Sequence, residues 1–441
     1  MIGESRGDSK KGGDLLPNLL QKILIRWALN TSEKRMEAQQ PPWRRSAMTM
    51  GMKMILGLVA LVVALATTRD SSSLHWMPIT IDKRTIAGTN GLSRDGLTYK
   101  CALPNGTTTK MSAAAFPQFI IAGTQKGGTT SMGVILSSHL NLTQSKEFEA
   151  HFFDKYPRFL ESGLDFSDEA AWCQYRKAYH DCFPPLSESQ LAGHWTFEKT
   201  PIYMLLMTEV PRLIAKLMEP FPNKPKIIMV LRDPVERAFS KYKMDNDRGR
   251  NYGKKTFEEK VSIGIHKLRK HGISHAPVFN ESMSASEWRM LPHSDFAEPD
   301  DSLVKTNILQ NFKVWKSADT FELTRGLYAY QISSWDKLFP LGEKLLVINY
   351  ETYQKHKQQV LDQIMNFTNL PQHIFSESLL NSDHSPEQQL NYTKKATILM
   401  KDATKAYLQR FFAPHNALLE QLLGSEWKGV WQYNSSQIIE T

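Results

Sequence analysis

The sequence predicts an α/β fold: a central parallel sheet in a three-layer arrangement, preceded by an N-terminal membrane anchor and a stem. Three observations carry that expectation. Short apolar runs, "FIIAG" at 119–123, "KIIMVL" at 226–231 and "KLLVINY" at 344–350, read as strands buried on both faces. Helical patterns lie between them at 129–140, 203–219, 234–247 and 326–339, and strands alternating with helices form parallel sheets. The first strand runs directly into a glycine-rich turn, "GTQKGGTTS", which has the form of a strand-to-helix phosphate loop.

In chain order, residues 1–53 hold ten Lys/Arg against five Asp/Glu and read as a basic cytoplasmic tail. Within it, 15–30 could form a short amphipathic helix, to which no chemistry is assigned. The tail accounts for five of the nine net positive charges. The other four suit an anionic cofactor or an acidic polymer, and no nucleic-acid partner is expected.

Residues 54–68, "MILGLVALVVALATT", form the one long uncharged apolar run. They are fewer than the ~20 residues that span a bilayer core, and a buried core helix is the alternative. Arg44, Arg45 and Lys53 precede the run, and a positive N-terminal flank predicts a cytoplasmic N-terminus with a lumenal remainder. "ALA" at 64–66 could be a signal-peptidase site; the favoured reading is an uncleaved, single-pass type II signal-anchor in a thin early-secretory (Golgi) membrane. Asn-X-Ser/Thr triplets at Asn105, Asn141, Asn280, Asn366, Asn391 and Asn434 agree with a lumenal domain.

Residues 69–115, rich in Ser, Thr, Gly and Asn, read as the stem, with the globular domain over 116–431 and a C-terminal tail at 432–441. Cys173 and Cys182 could form a local disulfide that leaves Cys101 over; three free thiols is the other reading. Residues 248–320 are polar and read as an insertion over one sheet edge, either an acceptor-binding loop or surface decoration.

The nucleotide loop of kinases reads G-x-x-x-x-G-K-[ST]. Here Gly123 and Gly128 keep the spacing and Thr130 takes the hydroxyl position, but Thr129 stands where lysine belongs. Lys126 lies three residues earlier, in the crown of the loop. Gly127 and Gly128 let backbone N–H groups turn inward, and the helix that starts near Thr129 and Thr130, with Ser131 next, offers its positive end to an anion. The fold class is therefore P-loop-like. A second site is expected where "KIIMVLRDPVERAFSKY" emits Arg232 from a strand end and Ser240 two turns into the next helix. Asp233 caps that helix, Pro234 takes its first position and Glu236 completes a capping box. The alternative for Arg232 is a surface pair with Asp233 or Glu236.

Two phosphate sites on adjacent strands suit a nucleotide phosphorylated at both ends. "GTQKGGTTS" and "VLRDPVERAFSKY" resemble the 5′- and 3′-phosphate motifs of sulfotransferases, which use 3′-phosphoadenosine 5′-phosphosulfate (PAPS). "EAHFFD" at 149–154, "EKTPIY" at 198–203, "RGLYAYQISSWDKLFP" at 325–340 and "FFAPHNALLEQLLG" at 411–424 resemble later blocks of the lumenal heparan-type enzymes, in the same order. The resemblance covers roughly 117–431. It implies a membrane-anchored carbohydrate sulfotransferase of the heparan/chondroitin type acting on a glycan, an acidic one by expectation. The cofactor-binding residues are then Lys126, Gly127, Gly128, Thr129, Thr130, Ser131, Arg232 and Ser240, and no metal is required.

The resemblance also assigns the chemistry. Lys126 inside the loop reaches the leaving oxygen, and Lys199 is the second active-site lysine. Glu149 matches the base position, while Glu147 keeps a Lys-Glu pairing and His151 is the chemical alternative. Phe152 and Phe153 read as core. The heparan enzymes close the 3′-phosphate side with a Cys-bounded, Lys-Gly-Arg loop that this sequence lacks. "NYTKKAT" at 391–397 offers Lys394 and Lys395 for that task, or they form a solvated pair. A P-loop kinase or NTPase and a non-catalytic glycan-binding protein are the rival functions.

Overall fold

The computed structural model describes residues 91–92, 98–155, 167–186, 193–251, 253–296, 301–382, 398–431 and 433. The chain divides into two units, Met1–Ile81 and Asp82–Thr441. The basic tail, the apolar run at 54–68, Lys394 and Lys395 lie outside the described residues. Among the described residues, no helix is long and apolar enough to cross a membrane.

The strands are β1 (Gly91–Leu92), β2 (Thr98–Ala102), β3 (Thr108–Ser112), β4 (Phe119–Gly123), β5 (Leu142–Gln144), β6 (Trp195–Lys199), β7 (Lys226–Leu231) and β8 (Leu345–Asn349). The longer helices are α1 (Thr129–Leu136), α2 (Glu169–His180), α3 (Val210–Leu217), α4 (Pro234–Asp247), α5 (Phe257–Lys270), α6 (Asp301–Gln310), α7 (Tyr328–Asp336), α8 (Lys357–Thr368) and α9 (Asp402–Leu423).

The main sheet has the order β5-β6-β4-β7-β8, and every neighbouring pair is parallel. Alternate side chains of a strand point to opposite faces, and both faces here are buried. Phe119, Ile121, Ile228 and Val230 enter one core with Met132 and Leu136 of α1 and Leu361 and Ile364 of α8. Ile120, Ala122, Ile227, Met229 and Leu231 enter the other, beneath α2, α3, α4, α5, α7 and α9. Burial on both sides is why β4 and β7 contain no polar side chain beyond Lys226. Each such aliphatic side chain contributes about 1.5–3 kcal/mol by leaving water.

Three parts of the fold differ from the sequence reading. First, β2 and β3 form an antiparallel hairpin inside the segment expected to be stem. Its Tyr99, Cys101 and Met111 are buried in the second core, so the folded chain begins before Phe116. Second, the disulfide joins Cys101 to Cys173, and Cys182 is the free thiol. Cys173 is buried within α2, whereas Cys182 lies just past the end of that helix and donates to the Ala178 carbonyl at 3.5 Å. Third, the described residues of 248–320 form helices packed into the core, not surface decoration. A Thr256–Glu259 capping box starts α5, and Val261, Ile265, Trp288, Val304 and Trp315 carry this segment into the second core.

Candidate active site

Parallel pairing brings the chemistry to one edge of the sheet. Lys199 at the end of β6 is registered against Ile121 of β4, and Leu231 of β7 against Asn349 of β8. The turn after Gly123, the residues after Lys199, Arg232 and Tyr350 therefore all leave the sheet at its carboxyl edge, where ligands of open α/β sheets bind.

The loop is held by its backbone. Thr124 N–H donates to the Val230 carbonyl at 2.9 Å, and Gly127 N–H to the Thr124 carbonyl at 3.0 Å. A Cβ at Gly127 would lie 2.4 Å from the Val230 carbonyl oxygen, so this position accepts only glycine. Gly128 is the N-cap of α1 at φ +86°, and no side chain caps the helix. The first N–H groups of α1 thus keep their polarity for an anion. Lys126 itself is left-handed, at φ 71°. Thr129 is buried, Thr130 partly so, and the Ser131 hydroxyl lies 3.2 Å from the Tyr353 hydroxyl.

On the neighbouring strand end, the Arg232 guanidinium lies over the Tyr350 ring, 5.0 Å from its centroid. Asp233 caps α4 by accepting from the N–H groups of Val235 and Glu236 at 2.8 and 3.3 Å. The expected capping box does not close: Asp233 N–H donates to Glu351 at 3.0 Å, and Glu236 pairs with Lys405 at 3.3 Å. Ser240 sits partly exposed two turns along α4.

On the other side of the loop, Lys199 Nζ donates to Glu149 Oε1 at 2.9 Å. The Lys199 stem passes α1 at Gly133, where a Cβ would stand 3.1 Å from Lys199 Cδ, and its ammonium lies 3.9 Å from the Phe148 ring centroid. Glu149 Oε2 faces His151 Nε2 at 3.1 Å, and Asp154 Oδ2 faces His151 Nδ1 at 2.8 Å. Ionised carboxylates only accept, so both ring nitrogens donate and His151 is an imidazolium. Its pKa is correspondingly raised to about 9 by the bonds to Asp154 and Glu149. Burial pushes Glu149 up, but the His151 bond and the Lys199 charge outweigh it and hold the carboxyl at about 2. Burial draws Lys199 down, partly offset by Glu149. Glu147 is exposed and its backbone carbonyl accepts from Ser145.

Asp154, Tyr350 and Tyr353 were missed from sequence. The His-x-x-Asp spacing inside "EAHFFD" could have exposed Asp154; the two tyrosines follow the last sheet strand, where the same edge rule would have sent attention. Gln125, beside Lys126, also gains an unforeseen partner in buried Arg325. Among the described residues, no cluster of three or more His, Cys, Asp or Glu is arranged for a metal ion.

A carboxyl-edge loop with an internal lysine, flanked by a lysine–carboxylate pair and a strand-end arginine, defines a class of proteins that bind phosphorylated nucleotides and transfer a group. The family model described as "Sulfotransferase domain" matches residues 116–408; the chain belongs to the sulfotransferase family. It is 24% identical over 361 residues to a membrane-associated sulfotransferase, kil1, of Dictyostelium discoideum, covering 72% of this chain and 66% of that protein. A mouse heparan sulfate glucosamine 3-O-sulfotransferase, 3A1, is 36% identical over 126 residues, covering 29% of this chain and 26% of the relative. The chain therefore spans less than two thirds of the length of either relative. A solved sulfotransferase from Alicyclobacillus acidocaldarius superposes with a TM-score of 0.44 at 21% identity, over 71% of this chain and 99% of that one.

Proposed function

We propose that the chain transfers a sulfuryl group from PAPS to a hydroxyl of a carbohydrate acceptor, glycosaminoglycan or another glycan. The observation that carries this reading is the Glu149–Lys199 pair, whose lysine ends β6, the strand beside the one that feeds the glycine loop. It sets a proton acceptor and a buried cation on the same side of one phosphate site. A kinase would place lysine directly after Gly128, where Thr129 stands, and the family match favours sulfuryl transfer.

The residues present fit PAPS. The Gly127 position is closed to any side chain by Val230, and the uncapped α1 terminus would receive the 5′ end through Lys126, Gly127, Gly128, Thr129, Thr130 and Ser131. Arg232 and Ser240 would hold the 3′-phosphate, and Lys394 and Lys395, outside the described residues, are candidates for the same phosphate unless they form a solvated pair. When bound, PAPS supplies an activated sulfuryl group whose leaving group is adenosine 3′,5′-bisphosphate. Lys126 and Lys199 place positive charge where negative charge develops. Glu149 accepts the acceptor's proton on a lone pair not used by Lys199 or His151, and Asp154 holds His151 in place against it.

The same proposal places residues 1–53 in the cytoplasm, a span at 54–68 in a Golgi membrane and the remainder in the lumen. The Cys101–Cys173 disulfide supports an oxidising compartment. The test is incubation of residues 82–441 with radiolabelled PAPS and a panel of glycans. Label on at least one glycan is the expected result; none on any glycan, with thermal protection by Mg-ATP in place of adenosine 3′,5′-bisphosphate, would return the kinase reading.

A further inference from the structure

Glu198 lies beside Lys199 on β6, is fully buried, and has no part in the chemistry above. Three hydroxyls surround it. Tyr179 donates to Oε1 at 2.6 Å; Tyr203 and Thr200 donate to Oε2 at 3.3 and 3.4 Å. Two of these hydroxyls turn their oxygen lone pairs to the segment that bears Glu149, His151 and Asp154. Thr200 Oγ1 accepts the His151 N–H at 3.2 Å. The Tyr203 oxygen accepts the Phe152 and Phe153 N–H groups at 2.9 and 3.2 Å. Three consecutive backbone N–H groups thus end on two hydroxyls, and both hydroxyls end on one carboxylate.

We propose that Glu198 is a positioning residue: it orients the Tyr203 and Thr200 hydroxyls so that they clamp residues 151–153 and hold Glu149 and His151 in register with Lys199. Burial raises the Glu198 carboxyl to about 7 against the bonds from Tyr179, Tyr203 and Thr200; ionised, as at the pH 8 of the test below, it only accepts, so every hydroxyl around it presents its hydrogen inward and its lone pairs outward. An amide cannot do this, because its NH₂ arm donates and turns at least one hydroxyl around. The segment needs an external hold: His151 is at φ 50°, a left-handed conformation that a non-glycine residue adopts only when its surroundings impose it.

The proposal rests on the sulfuryl-transfer reading for its effect on turnover, and the test separates the two. Residue-resolved hydrogen exchange is measured on residues 82–441 for the unmodified protein, Glu198→Gln, Tyr203→Phe, Thr200→Val and, as a control, Tyr179→Phe. Tyr203→Phe should speed exchange at Phe152 and Phe153 at least tenfold, and Thr200→Val at His151 alone. Glu198→Gln should speed exchange at 151–153 where its NH₂ arm replaces Oε2 and leave it unchanged where the arm replaces Oε1, so Tyr203→Phe and Thr200→Val carry the test; the β7 amides should stay within twofold throughout. In the sulfuryl-transfer assay at pH 8, Tyr203→Phe should lower kcat at least tenfold, with affinity for adenosine 3′,5′-bisphosphate changed less than twofold, and Glu198→Gln should lower kcat only if it speeds exchange at 151–153. Tyr179→Phe should leave kcat within threefold. If Glu198→Gln does not fold, Tyr203→Phe carries the test, since it removes one hydroxyl and no charge. Unchanged exchange at Phe152 and Phe153 in Tyr203→Phe overturns the clamp, and faster exchange with unchanged kcat overturns its positioning role in turnover. The exchange arm decides the clamp by itself, so an unmodified protein inactive on every acceptor would sink the transferase reading alone.

Discussion

Lys199 and Glu149 meet at 2.9 Å, one fully buried and the other partly open to the cleft edge. In the proposed reaction that asymmetry divides their work. The lysine is desolvated and fixed by its own strand, so its charge acts with little screening. The carboxylate keeps a solvent-facing side on which an acceptor hydroxyl can settle. His151 holds the second carboxylate oxygen, so Glu149 cannot swing away from the lysine when an acceptor arrives.

If Glu149 takes the acceptor's proton, Glu149→Gln keeps the shape and removes the basicity. Turnover should fall by about 10²–10⁴, with nucleotide affinity little changed. Lys126→Ala should damage both, because Lys126 is assigned to the bound nucleotide and to the leaving oxygen. Glu147→Gln, on an exposed side chain, should have no effect. Steady-state kinetics beside nucleotide titration checks all three, and full activity in Glu149→Gln would end the assignment.

Arg232 is assigned to the 3′-phosphate alone. Arg232→Ala should therefore weaken adenosine 3′,5′-bisphosphate by tenfold or more, the loss typical of a charge-assisted bond of about 1.5–3 kcal/mol. Adenosine 5′-phosphosulfate, which lacks that phosphate, should bind nearly as before. Calorimetric titration of both nucleotides decides it: equal losses would move Arg232 elsewhere in the site.

What could be read from sequence follows from what each segment buries. β4 and β7 are apolar on both faces, so their runs stood out. β6 was invisible because its last two residues, Glu198 and Lys199, are buried for the sake of polar contacts that no hydropathy pattern shows. The glycine loop was legible because steric demands on Gly127 and Gly128 leave no alternative residue. Glu149 and Glu147 lie two residues apart, and the sequence does not show that Lys199 meets Glu149 and not Glu147. The hairpin β2–β3 was read as stem because its Ser, Thr and Lys content resembles a linker; its burial alternation spans only five residues per strand. The partner of Cys173 was a tertiary question from the start, since 72 residues separate it from Cys101.

That disulfide should matter for stability. Closing a loop of 72 residues restricts the unfolded chain by about 4 kcal/mol in the entropic model, and measured values are commonly about 2–4 kcal/mol. Cys101→Ser and Cys173→Ser should each lower the melting temperature by a similar amount, and the double variant by no more than either one. Cys182→Ser should change it little. A larger loss from Cys182→Ser than from Cys101→Ser would contradict the pairing.

The last prediction concerns pH. His151 is raised from 6.5 to about 9, so its bonds contribute fully below pH 6.5 and are lost as pH rises through about 9. Glu149 is lowered from 4.5 to about 2; its contribution is present above pH 4.5 and lost as pH falls through about 2. The two overlap fully between 4.5 and 6.5, the mildly acidic window. The bond to Asp154 is the foremost cause of the His151 shift, and an amide in its place carries no charge. Asp154→Asn should therefore bring the imidazolium back toward its ordinary range, leaving only Glu149 to hold the proton. The stability gap between the unmodified protein and Asp154→Asn should be widest at pH 6 and narrow steadily toward pH 9. Melting curves at pH 6, 7.5 and 9 measure that gap directly. A gap that stays constant would mean that Asp154 acts by packing and that His151 is not charged in the folded protein.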